Sequence, residues 1–244
     1  MTAGASDPGA RTIGPEALRR SAAHVVVERV GERDDVVVSI DDDVEHHLRR
    51  VLRLRAGEPV TVTDLAGRWR STVVAGSRER LQLDVVGDVV VTDRPGRPVT
   101  IAASIPKGDR LDWMVQKLTE LGVDRLVLLH AEHSTTRWDD ARTAVQLERA
   151  ERVSLEACRQ SRRIWPMRIE GPVAALSVLP TCVIAEPGGR QIAPSDDVIA
   201  IGPEGGWSPT ELEAARGAVS LGSNILRVET AAVVAATLCL SRNE

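Results

Sequence analysis

Apolar positions recur along this chain in two different rhythms, and the change between them divides it. Up to about residue 91 the apolar residues come in short runs rich in Val, Thr and Ile, at 24–30, 35–40, 59–63, 69–75 and 81–91, separated by glycine-containing breaks. Such runs suit half-buried strands, and their spacing predicts a small antiparallel barrel or sandwich. One stretch departs from this rhythm: Val44, Leu48, Val51 and Leu52 recur at helical spacing, while Arg49, Arg50 and Arg53 fall largely on other faces. A single arginine-bearing helix is therefore expected within the β domain.

Arg94-Pro95-Gly96-Arg97-Pro98 cannot comfortably continue a ladder or a helix, so a linker is expected there. Beyond it, strands and helices alternate. Strands are expected at 99–105, 125–129, 182–186, 197–201 and 224–228. Between the first two lies a helix carrying Leu111, Met114, Val115, Leu118 and Leu121, with Gly122 as its C-cap. A long helix is expected over 144–162 and an apolar one over 230–240. Ser208-Pro209-Thr210-Glu211 is a capping box with proline at the first helical position, predicting a helix from there to about 218. Alternation of this kind gives an α/β domain with a mostly parallel sheet. The expected organisation is a flexible tail at 1–22, a β domain at 23–94 and an α/β domain at 98–244.

The chain's 244 residues can hold two such cores, and 43% hydrophobic with 27% charged residues is ordinary for a globular protein. No run approaches the roughly 18 apolar residues of a membrane helix. The first 22 residues lack the apolar core of a secretory signal, so a cytoplasmic protein with no membrane association is expected. Cys158, Cys182 and Cys239 show neither metal spacing nor a paired framework and read as buried free thiols. His130 and His133 have helical spacing but lack a third ligand, so no metal is expected.

The net charge of -4 hides two basic segments. Eight arginines between His46 and Arg80 stand against Glu58, Asp64 and Glu79, and eight between Arg137 and Arg168 stand against five acids. These are either solvated faces or local fields for a polyanion. Lys107 and Lys117 are the only lysines, so positive charge rests mainly on guanidinium groups, which suit phosphate. Phe and Tyr are absent, leaving five tryptophans as the large aromatic residues for any base stacking.

In an open α/β sheet, ligands bind at the carboxyl ends of strands. Gly202-Pro203-Glu204-Gly205-Gly206 follows such an end; its glycines permit positive φ and close backbone approach to a flat ligand. Neither a GxGxxG fingerprint nor a GxxxxGK[ST] loop is present. Leu221-Gly222 offers a second glycine loop, followed by the apolar Ile225-Leu226 and the polar Arg227, Glu229 and Thr230. Two loops at one sheet edge could enclose an adenosine-sized ligand.

The order Ile201-Gly-Pro-Glu-Gly-Gly206, a capped helix, then Leu221-Gly-x-x-Ile-Leu-Arg-x-Glu-Thr-Ala231 closely resembles the RsmE family of 16S rRNA uridine-N3 methyltransferases, of the SPOUT superfamily. Pro106 through Arg110, Lys117, Glu120 through Val123, Glu156-Ala157 and Gln160-Ser161-x-Arg163 extend the likeness. In the first domain, His47 through Arg53 and Gly57-Glu58 look like the family's PUA-like β-barrel. Glu132-His133-Ser134, Asn224 and Trp207 depart from the family's common residues.

The resemblance implies a PUA-like RNA-binding barrel, a SPOUT α/β domain with a C-terminal trefoil knot, S-adenosyl-L-methionine as cofactor, and a homodimer. It also implies methylation of N3 of a uridine in 16S rRNA, in the small ribosomal subunit near the decoding region. The cofactor residues it implies are Ile201, Gly202, Pro203, Glu204, Gly205, Gly206, Leu221, Gly222, Ile225 and Leu226, with Thr230, Ala231 and the strand-end Glu186. Arg227, Glu229 and Glu204 are its candidates for anion stabilisation and deprotonation. Arg49, Arg50, Arg53, Lys107, Arg110, Arg137 and Arg163 are its candidates for RNA contact. A SPOUT methyltransferase with another RNA target, and a non-catalytic RNA-binding assembly factor, remain alternative readings.

Overall fold

The computed structural model describes residues 15–32, 36–76, 80–94 and 96–241, which divide into two compact units, one up to Arg94 and one from Pro95 onward. Of the expected tail, residues 1–14 lie outside the described residues. The remainder is not loose: Pro15–Arg20 forms a short helix, α1, that buries Ala17.

The first unit holds β1 (Ala23–Val26), β2 (Val37–Val38), β3 (Pro59–Thr63), β4 (Arg68–Gly76), β5 (Leu81–Val85) and β6 (Val90–Val91) in one sheet, ordered β1-β3-β4-β5-β2 with β6 also on β4. The ladder is not purely antiparallel, because β1 runs parallel to β3. The expected run 81–91 is broken into β5 and β6. The arginine-bearing helix is α2 (Asp42–His46), capped by the Asp41 carboxylate on the Val44 N–H at 2.7 Å, and it continues as a π-helical turn over His47–Val51. Leu48 drops from that turn into a core of Val25, Val60, Val62, Val74 and Leu83. Alternate residues of β3 and β4 supply this core, as a period of two requires.

One charge counted in the first basic segment is not at the surface. Arg70 is 1% exposed; its Nε and Nη2 donate to the Gly87 carbonyl at 3.1 and 2.9 Å, and Nη1 to the Glu32 carbonyl at 2.8 Å. It braces the loops of the β unit and adds little to any external field.

The second unit is a six-stranded sheet in which every ladder is parallel, ordered β12-β10-β11-β7-β8-β9. Its strands are β7 (Thr100–Ser104), β8 (Arg125–His130), β9 (Arg168–Ala174), β10 (Val183–Arg190), β11 (Val198–Ile201) and β12 (Ala218–Val219). Both faces are covered. Helices α3 (Arg110–Leu121), α4 (Asp140–Ser161) and α6 (Val228–Leu240) enclose a core with Ile101, Ala103, Met114, Leu118 and Ile199; the opposite core holds Ala102, Val127, Leu129, Ile184, Ala200 and Trp207, beside α5 (Pro209–Ala214). Burial on both faces explains why these strands read as near-continuous apolar runs. Ala232, Ala235 and Ala236 are fully buried, and their small side chains let α6 lie close on α3 and the sheet.

Gly122 ends α3 at φ 104°, as its C-cap position predicts. Three expectations are corrected. The strand expected at 224–228 is absent: only Ala218–Val219 pairs with β10, after which the chain leaves the sheet and Ile225 is 83% exposed. Helix α5 stops at Ala214, because the Arg216 N–H donates to the Cys182 carbonyl and the Gly217 carbonyl accepts from Ile184, drawing the chain into the sheet. Strand β9 was not anticipated, since its Gly171-Pro172 reads as a break; it lies at the sheet edge, where proline is tolerated.

Candidate active site

The sheet order reverses between β7 and β11, the place where an open α/β sheet offers a crevice at its carboxyl edge. Beside it the segments that follow β10, β11 and β12 converge with the first turn of α6. They enclose a cavity of about 250 Å³. Glu186, Ile201, Gly202, Pro203, Glu204, Gly206, Leu221, Gly222, Ile225, Leu226 and Ala231 all line it, together with Ala185, Pro187, Trp207, Ser220, Asn224 and Val228. Gly205 and Thr230 do not. Trp207 and Asn224 enter the site at the very positions where the chain departs from the family pattern. Val228 was missed because α6 begins earlier than expected, and Ala185 and Pro187 because β10 was taken to end at Glu186.

The three glycines after β11 serve different ends. Only Gly206 has a positive φ, of 76°. Gly202 is needed for close approach, since a β-carbon there would stand 2.9 Å from the Trp207 indole. Gly205 packs the same way on His133, whose β-carbon would lie 2.9 Å from an added methyl, while His133 Nδ1 donates to the Gly206 carbonyl at 3.1 Å. The loop thus rests on the segment after β8.

Helix α5 is tied to that segment as well. Glu211, 2% exposed, accepts from the Ser208 N–H at 3.0 Å to complete the capping box, and its other oxygen accepts from the Glu132 N–H at 2.9 Å. Within the segment, the Trp138 N–H donates to His130 Nε2 at 3.3 Å, which requires the neutral ring. Burial, with the Arg137 guanidinium nearby, holds His130 below its ordinary value.

Two polar atoms near the cavity are buried without a hydrogen-bond partner: Trp207 Nε1 and Glu229 Oε2. Trp207 lines the cavity. Glu229 does not; it turns toward α3, with Oε1 3.6 Å from Arg110 Nε. Arg227 is the N-cap residue of α6, exposed, and its side chain makes no ion pair among the described residues. Glu204 is exposed on the cavity rim. Of the three candidates for chemistry, Glu204 alone lines the cavity.

The residues suggested for RNA contact divide by what their side chains already do. Arg50, Arg53 and Lys107 are exposed. Arg49 pairs with Glu45 at 3.1 Å, and Arg137 donates to the Ala131 and Glu132 carbonyls at 2.9 and 3.3 Å. Arg163 donates to the Thr119, Val123 and Trp165 carbonyls at 2.8 to 3.0 Å, closing off the end of α3; its guanidinium faces the fold.

Comparison with known proteins bears on this geometry. The model of the RNA methyltransferase domain matches residues 93–240, and that of the RNA methyltransferase PUA domain matches residues 40–86. Ribosomal RNA small subunit methyltransferase E of Mycobacterium bovis is 33% identical over 224 residues, covering 82% of this chain and 84% of that protein. The protein of the same name from Synechocystis is 32% identical over 212 residues, covering 78% and 68%. A crystal structure of that methyltransferase from Neisseria gonorrhoeae, bound to S-adenosyl methionine, superposes with a TM-score of 0.76 at 26% identity, covering 90% and 97%. The probable rRNA-methyltransferase of Porphyromonas gingivalis gives 0.68 at 31% identity, covering 88% and 95%. The expected PUA-like domain followed by a SPOUT α/β domain is borne out by these matches. Taken with glycine loops that meet around a cavity at the sheet's carboxyl edge, they show that the chain belongs to the ribosomal RNA small subunit methyltransferase E family of RNA methyltransferases.

Proposed function

We propose that this protein transfers a methyl group from S-adenosyl-L-methionine to N3 of a uridine in 16S rRNA, acting in the cytoplasm as a homodimer on the small ribosomal subunit near the decoding region. The observation that carries this reading is the cavity itself. Its walls are backbone from two glycine loops and the aliphatic surfaces of Ile201, Leu221 and Leu226, which suit the flat face of an adenine. The unpartnered Trp207 Nε1 is a buried donor in need of an acceptor, and the Glu186 carboxylate is an acceptor for ribose hydroxyls. These features fit the cofactor. When bound, S-adenosyl-L-methionine supplies an electrophilic methyl group on a sulfonium.

The imide proton of uracil is lost only well above neutrality, so the protein's part is to favour the deprotonated base. Arg227 is an exposed cation at the N-terminal end of α6, where the helix dipole adds partial positive charge. Both favour an anion held at that edge. Glu204, exposed on the rim, is the better placed of the two carboxylates to take the proton. Glu229 is buried beside Arg110 and serves as a positioning residue between α6 and α3. Exposed Arg50 and Arg53 in the first unit and Lys107 in the second are suited to phosphate contacts.

The test is nucleoside mass spectrometry of 16S rRNA after small ribosomal subunits are incubated with the protein and isotopically labelled cofactor. The labelled product expected is N3-methyluridine at a single position. Label on another base or on ribose would overturn the assigned atom, and cofactor binding without any transfer would favour a non-catalytic RNA-binding factor.

A further inference from the structure

A second cavity, of about 290 Å³, opens where the segments after β7 and β8 meet α4, farther along the sheet edge that carries the first. Its composition is divided. Ile105, Leu111 and Trp138, all buried, contribute apolar surface, while Lys107, Arg142 and Arg149 contribute positive charge. Arg149 is already neutralised, with Nε and Nη2 both donating to Asp112 at 2.9 and 2.5 Å. Lys107 and Arg142 are exposed, and neither side chain has an ion-pair or hydrogen-bond partner among the described residues. Two uncompensated cations beside an apolar pocket match an amphipathic anion. A simple anion site would not need the apolar surface, and an apolar ligand would not need the cations.

We propose that this cavity is a subsite for a nucleotide of the RNA strand flanking the methylated base: its phosphate lies between Lys107 and Arg142, and its base lies on the surface formed by Leu111 and Trp138. The inference rests on the RNA-methylating reading above. It separates the two cavities by task, the first holding the cofactor and the second gripping the strand beside the target, so that remote binding helps to orient the reacting base.

The test uses the full-length chain with both cations removed, Lys107→Gln/Arg142→Gln. Both side chains are exposed and unbonded, so cofactor affinity measured by calorimetry stays at the wild-type value. Retention of a radiolabelled 16S rRNA fragment on filters is measured across a salt series. For single-stranded contacts each lost cation lowers the slope of log K against log salt by about 0.7, so a decrease of about 1.4 is expected. With small subunits as substrate, KM rises on the order of tenfold at unchanged kcat. An unchanged slope together with unchanged KM overturns the subsite, as does a wild-type protein that fails to retain the fragment. If the wild type retains the fragment but transfers no methyl group, the proposed reaction fails and the slope alone decides the subsite.

Discussion

At Gly202 a side chain would have to share space with the Trp207 indole, and neither backbone nor ring can retreat without opening the cavity. Gly202→Ala is therefore expected to cost about 1–3 kcal/mol of stability by overpacking, read from urea unfolding, and to weaken cofactor binding in calorimetry. Wild-type values for both would mean the loop has slack that the geometry denies. Arg227 makes the opposite case, because it touches nothing and its removal should leave the fold alone. If it stabilises the uracil anion, Arg227→Ala lowers the single-turnover rate of methyl transfer by about 10²- to 10³-fold while cofactor affinity holds. Unchanged turnover removes that role, and a loss confined to cofactor binding reassigns it. His133 shows what a departure from a family pattern can conceal: in this chain its ring supports the Gly206 carbonyl, so the residue belongs to the cofactor loop's foundation.

Among elements, α5 is six residues long and could not persist by propensity alone. Its hold comes from Glu211, which binds both its own N-cap and the segment after β8. Glu211→Ala strands two buried N–H donors and is expected to cost about 3 kcal/mol, measured by chemical denaturation; a cost under about 0.5 kcal/mol would show that water replaces the carboxylate without penalty. The start of α5 was legible because a capping box is a local device, written in four consecutive residues. Its end was not, because the residues that stop it answer to Cys182 and Ile184, more than thirty positions away. The same distinction explains the segment 224–228. Its Ile225-Leu226 pair looks like strand because apolar residues usually face a core, whereas here both line a cavity. Strand β9 was hidden by Gly171-Pro172, whose punctuation is local while its place at a sheet edge is not. The glycine loops were legible as a ligand site, but that Glu204 lines it while Glu229 turns to Arg110 depends on the phase of α6, which spacing alone left open.

Over the whole molecule, charge behaves differently from its sum. Arg70 and Arg163 count fully in the net charge yet spend their guanidinium groups on backbone carbonyls. Acid should act in two stages. His130 is held below the ordinary 6.5 in the folded state, so the stability it contributes is complete above that value and is lost as pH falls through the lower folded value. Asp196, held below 3.8 chiefly by Arg190, and Glu45, held below 4.5 chiefly by the Leu81 N–H, contribute stability above those values and lose it only in stronger acid. Melting temperature followed downward from pH 7.5 should begin to fall below about pH 6.5, and His130→Gln, which keeps an acceptor for the Trp138 N–H, should remove that early decline. An identical early decline in the variant would assign it to another group. The segment after β8 carries a last consequence. Through His133 and Glu132 it supports the loop and helix beside the first cavity, and through Thr136 and Trp138 it forms a wall of the second. A common wall makes the two occupancies reciprocal. Whatever factor a ligand in one cavity imposes on affinity in the other by shifting this segment must be returned in full, so order of loading leaves the ternary complex unchanged while the segment's stiffness sets how strongly each ligand senses the other.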